Sequence, residues 1–403
     1  MGWLKAVYSL LVLLLAGSGL FLSAWIVVPA PVFGLLILSV GAPEVSPWLV
    51  LLNGCAVLLA LNQRGVVRRI ALGGGLLGLG LSALPLAQWP ATQARLEQAM
   101  VSTLGPEYLS GVPASVQAGM RPEPFALAAV FQGLPQDRVR LNAGIPFAQV
   151  AGVTLQMNVY QPPAPGRYPA LVVVYGGAWQ HGSPSQDEPF SRYMAARGYV
   201  VFAIDYRHAP EHPYPAQIED VRTALAFIQA NAQRYEADPA RLALLGRSAG
   251  AHLALLAAYE PGAPPIRAVV DYYGPVDLEQ GYYDLPTPDP IDTRQVLEAF
   301  LGGPPSTRLG AYRAASPSTY VTRPLPPTLL VYGGRDHLVE QRFGYALWKR
   351  LQATGTTAVW LDIPWADHSF DSLFTGLSNQ LALYHTERFL AWALYREHPH
   401  PSN

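Results

Sequence analysis

The stretch Leu242-Ala243-Leu244-Leu245-Gly246-Arg247-Ser248-Ala249-Gly250 decides how this chain reads. Its four leading apolar residues suit a short buried strand, and residues 252–259 continue as an apolar helical run. Between them a serine has glycine two positions away on either side, the pattern G-x-S-x-G. On such a strand–turn–helix the serine sits in a strained turn, so those neighbours must lack bulk. Its hydroxyl stands at a helix N-terminus, where backbone N–H groups can stabilise an oxyanion. Taken alone, the five residues fit a plain Gly/Ser-rich turn equally well. The flanking chain separates the two readings.

From Val139 onward, short apolar runs alternate with helical patterns, which predicts an α/β domain. Strands are expected at 139–141, 153–160, 170–175, 200–205, 242–245, 268–272, 328–332 and 358–363. Helices are expected at 189–197, 215–235, 249–259, 341–354 and 381–395. The sheet is then largely parallel, with ligands at the carboxyl ends of its strands. One of those ends carries Tyr175-Gly176-Gly177-Ala178-Trp179, small residues whose backbone can approach a substrate closely. A nucleophilic serine needs such a loop, because a developing oxyanion requires fixed N–H donors about 3 Å away. Two later strand ends carry Asp336 and His368. The order Ser248, Asp336, His368 is that of a Ser-Asp-His triad on this kind of sheet. Asp367, Asp271 and Asp277 are rival acids. His181, His208, His212, His252 and His337 show no metal-binding spacing, and neither metal nor cofactor is expected.

Residues 145–395 resemble the α/β-hydrolase fold, in the branch of hormone-sensitive-lipase-like and feruloyl-esterase-like carboxylesterases and arylformamidases. The most specific match is Asp205-Tyr206-Arg207-His208-Ala209-Pro210-Glu211-His212-Pro213-Tyr214-Pro215-Ala216, followed by Glu219-Asp220. The resemblance implies Ser248 as nucleophile, Asp336 as acid and His368 as base. It also implies oxyanion N–H donors from Gly177, Ala178 and Ala249. Two departures lie near the site: Tyr175-Gly176-Gly177-Ala178 replaces the family's H-G-G-G, and Arg247 precedes the serine where Asp, Glu or His is common. Residues 277–315 read as a lid-like insertion, and Trp179, Tyr273, Tyr282, Tyr283 and Trp365 as an aromatic substrate pocket.

Upstream of the domain the texture differs. Only 14% of the chain is charged and half is apolar, against roughly 25% charged in soluble domains. The deficit concentrates in residues 1–87, read as a helical transmembrane region with spans at 6–28, 47–62 and 68–87. Residues 32–41 are too short to cross alone and read as an interfacial or re-entrant piece. Gly74 and Gly78 give the third span a small-xxx-small pair. Residues 88–138, punctuated by prolines, read as a linker, and the catalytic domain as 139–396. Lys5, Arg64, Arg68 and Arg69 belong on the cytoplasmic side, so three crossings place the catalytic domain opposite. The net charge of −1 argues against nucleic acid as a partner. The single cysteine, Cys55, excludes an intrachain disulfide and is expected to pack in the apolar run.

The expected activity is cleavage of a small-molecule or lipid-like carboxylic ester through an acyl-enzyme, by a protein partnered with the bilayer through its N-terminal region. The same nucleophile would serve an acyltransferase or an amidase. Outside enzymes, the alternative is a catalytically silent membrane binding protein.

Overall fold

The computed structural model describes residues 2–133 and 138–396. Residues 134–137, the end of the expected linker, lie outside the described residues.

Among the described residues, eight strands form one sheet: β1 (Arg140–Val150), β2 (Val153–Gln161), β3 (Tyr168–Val174), β4 (Val200–Ile204), β5 (Ala237–Arg247), β6 (Ala268–Tyr272), β7 (Thr328–Gly333) and β8 (Ala358–Ile363). Their spatial order is β1-β2-β4-β3-β5-β6-β7-β8, and β2 alone runs against the others. Strands β3, β4, β6 and β7 are buried almost throughout. Both faces of a parallel sheet are covered, so such strands read as unbroken apolar runs rather than alternating ones. Every strand expected from sequence is present.

The helices are α1 (Gly2–Ala24), α2 (Leu36–Glu44), α3 (Ser46–Leu61), α4 (Gly65–Leu104), α5 (Ala114–Gly119), α6 (Leu127–Gln132), α7 (Glu188–Ala196), α8 (Ala216–Asn231), α9 (Ala249–Tyr259), α10 (Leu278–Tyr283), α11 (Thr293–Leu301), α12 (Pro305–Ala314), α13 (Gln341–Ala353) and α14 (Leu377–Tyr395). Helices α8 and α9 pack together, and α9 covers β3, β5 and β6; α14 lies against β5, β6 and β7. Helix α9 is buried along its whole length, which accounts for its apolar composition without a membrane.

Helices α1, α3 and α4 pack as a bundle. Segments within α1 and α4 are long and apolar enough to cross a membrane, and Phe33–Glu44 with Ser46–Leu61 would make a third span bent by 83°. Glycine matters at the bundle's tightest point. A Cβ on Gly78 would lie 2.2 Å from Asn53 Oδ1, and one on Gly19 2.4 Å away. The Asn53 amide, held in that gap, donates to Ser23 Oγ (2.9 Å) and Leu49 O (2.8 Å). Cys55 is exposed on α3 rather than packed.

The third apolar segment does not end at residue 87. Helix α4 runs 40 residues, through Pro85 and Pro90, for about 60 Å. Each proline removes one helical hydrogen bond, and packing further along offsets the loss. Leu96 and Met100 are buried in the core of the catalytic domain, and Arg95 pairs with Asp362 on β8. The first third of the expected linker, 88–104, is therefore a helical strut fixed to the sheet.

Candidate active site

The elbow forms as its glycines require. Ser248 sits between β5 and α9 at φ 51°, ψ −121°, in the left-handed half of backbone space that a side chain rarely occupies. Its N–H donates to Tyr272 O (2.9 Å). A Cβ on Gly246 would lie 2.2 Å from Gly250 O, and a Cβ on Gly250 would lie 2.1 Å from Val174 O. Neither position admits any other residue without displacing backbone.

His368 Nε2 lies 2.9 Å from Ser248 Oγ, and His368 Nδ1 lies 2.8 Å from Asp336 Oδ2. Asp336 is buried, and its Oδ1 accepts from the N–H groups of Leu338 (2.9 Å) and Val339 (2.8 Å). A carboxylate so fixed holds the proton on Nδ1 and leaves Nε2 as the acceptor for the serine hydroxyl. The rival acids are occupied elsewhere. Asp367 accepts from the backbone N–H of His368 and faces His337 Nδ1 at 3.0 Å. Burial pulls the His337 pKa down, but the Asp367 carboxylate outweighs it and the net shift is upward. Asp271 accepts from Gly274 N–H and lies 2.9 Å from the Tyr332 hydroxyl. Asp277 caps the N-terminus of α10 by accepting from Gln280 N–H (3.0 Å).

The loop after β3 lies against the elbow. Gly177, Ala178 and Trp179 all take positive φ, and a Cβ on Gly177 would lie 2.1 Å from His181 O. Ala249 is the first residue of α9, so its N–H has no acceptor within the helix. Tyr175, standing where the family has histidine, ties this loop down. Its hydroxyl donates to Asp205 Oδ1 (2.6 Å), lies 2.9 Å from His208 Nε2, and its ring stacks on Tyr206. Burial, with Tyr206 and Asp205 beside it, pushes the Tyr175 pKa far above the usual phenol range. Arg207 grips Asp220 in a buried two-pronged ion pair, Nε to Oδ2 and Nη2 to Oδ1, both at 2.8 Å, which accounts for the arginine and the later aspartate of that motif. His252 braces the loop from the other side. Its Nδ1 accepts from Trp179 Nε1 (3.1 Å) and its Nε2 donates to Ala315 O (2.6 Å). Burial lowers the His252 pKa to about 4, so the ring is neutral.

Arg247 is buried within the cavity wall. Its guanidinium pairs with Asp371 and with Asp187 (3.4 Å) and lies over the Phe190 ring. Burial opposes its charge, but Asp187 and Asp371 raise its pKa overall. Tyr273 donates to the same Asp371, and its ring packs edge-on to His368. The arginine therefore braces the wall beside the triad.

Above Ser248 opens a cavity of about 920 Å³. Of the aromatic residues expected around it, Trp179 and Tyr273 line it; Tyr282, Tyr283 and Trp365 do not. Tyr282 turns its hydroxyl to Glu298 (2.6 Å), Tyr283 is 61% exposed, and Trp365 is buried with its indole donating to Ser378 Oγ (2.9 Å). The insertion contributes Leu278, Gly281, Val296 and Leu297 instead. Sequence reasoning missed one whole wall: Phe33, Leu36, Ile37, Val40 and Glu44, from the N-terminal region. Glu44, a lone carboxylate in an apolar run, was the available signal.

The sequence is similar to several known proteins. Residues 157–351 match the BD-FAE family. The probable carboxylic ester hydrolase LipM of Mycobacterium tuberculosis is 29% identical over 79% of this chain and 77% of its own. Esterase LipC of the same organism is 34% identical over 59% of this chain and 60% of its own. The chain has the α/β-hydrolase fold and is similar in sequence to carboxylic ester hydrolases. The structure of Thermogutta terrifontis esterase 2 phosphonylated by sarin shares this fold, with a TM-score of 0.53, 23% identity and coverage of 64% of this chain and 95% of that one. The oxyanion loop, Tyr175-Gly176-Gly177-Ala178, differs from the H-G-G-G of the family it resembles.

Proposed function

We propose that the protein is a membrane-anchored serine esterase working through Ser248, His368 and Asp336. His368 Nε2 takes the Ser248 proton as Oγ attacks the ester carbonyl. Asp336 stabilises the resulting imidazolium. The N–H groups of Gly177, Ala178 and Ala249 receive the negative oxygen. Collapse expels the alcohol, which takes its proton from His368 and leaves an acyl-serine. Water, deprotonated by His368, then releases the acid by the same route reversed. The observation that carries this reading is the unbroken chain Asp336 Oδ2–His368–Ser248 Oγ, with links of 2.8 and 2.9 Å.

Anchoring in a bilayer rests on the apolar bundle. Ser9 bonds Gln63 at the end of the bundle that carries Lys5, Arg64, Arg68 and Arg69, while α2 and the far half of α4 meet the catalytic domain at the other. That separation favours a catalytic domain on the non-cytoplasmic side. Hydrolysis of p-nitrophenyl butyrate by the full chain, and its loss in Ser248→Ala, tests the assignment. Undiminished turnover in the variant refutes it.

A further inference from the structure

One wall of the cavity over Ser248 comes from the apolar N-terminal region. Leu36 and Val40 of α2 line the cavity, as do Val296 and Leu297 of α11. Phe33 and Ile37 also border it, yet remain 71% and 78% exposed. Large apolar side chains so exposed at a cavity mouth are unfavourable in water and at ease in hydrocarbon. The 83° bend between the α2 segment and α3 lays α2 across the end of the bundle, as an interfacial helix lies. The contact with the catalytic domain is built rather than incidental. Glu44 is buried, and its Oε2 accepts from Ser378 N–H (2.8 Å) at the N-terminus of α14. A Cβ on Gly376 would strike that carboxylate at 2.5 Å. Next to it, Trp48 Nε1 donates to Val130 O (3.3 Å) and its ring packs on Phe131.

We infer that the substrate is a lipid ester of the bilayer leaflet on the catalytic side. This rests on the hydrolytic reading above. The hydrocarbon chain enters from the leaflet past Phe33 and Ile37 and lies along Leu36 and Val40, while the ester carbonyl reaches Ser248. Helix α2 is thus a specificity element as well as part of the anchor: its side chains set how much chain the site accepts.

The test uses the full chain in phosphatidylcholine vesicles. Val40→Trp narrows the channel and Ile37→Glu places charge at its mouth. The readout is the ratio of turnover on p-nitrophenyl palmitate carried in the vesicles to turnover on p-nitrophenyl acetate added in water. Excluding two or three methylenes from the wall lowers that ratio roughly tenfold or more; an unchanged ratio in both variants overturns the inference. A dialkyl glycerol ether bearing a diazirine on one chain supplies a readout that needs no hydrolysis. Irradiation is expected to crosslink Val296 or Leu297 in the wild type and not in Val40→Trp. Crosslinks confined to the outer faces of the bundle overturn the inference however well esters are cleaved. Crosslinks inside the cavity without turnover of either ester uphold the lipid occupant and remove the hydrolytic reading.

Discussion

Replacing Asp271 by asparagine separates the proposed triad acid from one of its rivals. Asp271 lies on β6 beside the elbow, fully buried, and burial raises its pKa from 3.8 to about 7. The hydrogen bonds from Gly274 and Tyr332 pull the other way, yet they can accommodate the proton that burial favours. The single Tyr332 hydroxyl hydrogen has two acceptors in reach, Asp271 Oδ2 at 2.9 Å and Gly274 O at 2.6 Å. With Asp271 protonated, its O–H donates to Tyr332 and Tyr332 donates to Gly274 O, so every group is satisfied. The unfolded chain loses this proton near 3.8 and the folded chain near 7. The stabilisation is therefore full below pH 3.8 and is lost as pH rises through 7. The loss is about 1.4 kcal/mol per unit, or about 4 kcal/mol across the window. An asparagine amide donates to Tyr332 as the protonated acid does, accepts from Gly274 N–H, and does not titrate. The Asp271→Asn melting temperature should match wild type near pH 4 and exceed it by on the order of 8 °C at pH 8. Esterase turnover at pH 8 should persist, since Asp336 holds His368. A melting-temperature difference independent of pH refutes the electrostatic account, and loss of turnover in the folded variant refutes the assignment of Asp336 over Asp271.

Arg247→Met leaves Asp187 and Asp371 buried without their cation; breaking such a pair costs about 3–5 kcal/mol, visible as a fall in melting temperature on the order of 10 °C. Tyr175→Phe removes the hydroxyl that ties the oxyanion loop to Asp205, a charge-assisted bond worth about 1.5–3 kcal/mol; kcat should fall about tenfold or more with KM little changed, and an unchanged kcat would show that the loop holds its shape without it. His252→Gln should flatten the acid side of the stability profile. Burial holds the His252 pKa near 4, below its ordinary 6.5, so the unfolded chain takes a proton the folded chain refuses. That costs about 3 kcal/mol as pH drops from 6.5 to 4, and melting curves for the two proteins should converge toward pH 4.

The sheet was legible because its strands are buried on both faces and so appear as unbroken apolar runs punctuated by glycine. The grouping of Ser248, Asp336 and His368 was legible through chain order at strand ends. Arg247 was not, because its partners Asp187 and Asp371 lie 60 and 124 residues away, and pairing at that range leaves no local pattern. The aromatic pocket was only half legible. Tyr282 and Trp365 have hydrogen-bond partners that turn them away, and composition cannot show direction. Pro90 suggested a break, yet Leu96 and Met100 bury enough surface to carry α4 through it. Residues 32–41 fitted an interfacial piece or an extension of a neighbouring span; only the fold brings them over the serine.

Ser248, activated by His368 and Asp336, should react selectively. Full-length protein treated with a fluorophosphonate probe, digested and analysed by mass spectrometry should carry one adduct, on Ser248. Ser248→Ala should carry none, and Asp336→Asn should label far more slowly. Folded wild-type protein that takes no probe, or takes it at another residue, would contradict the account.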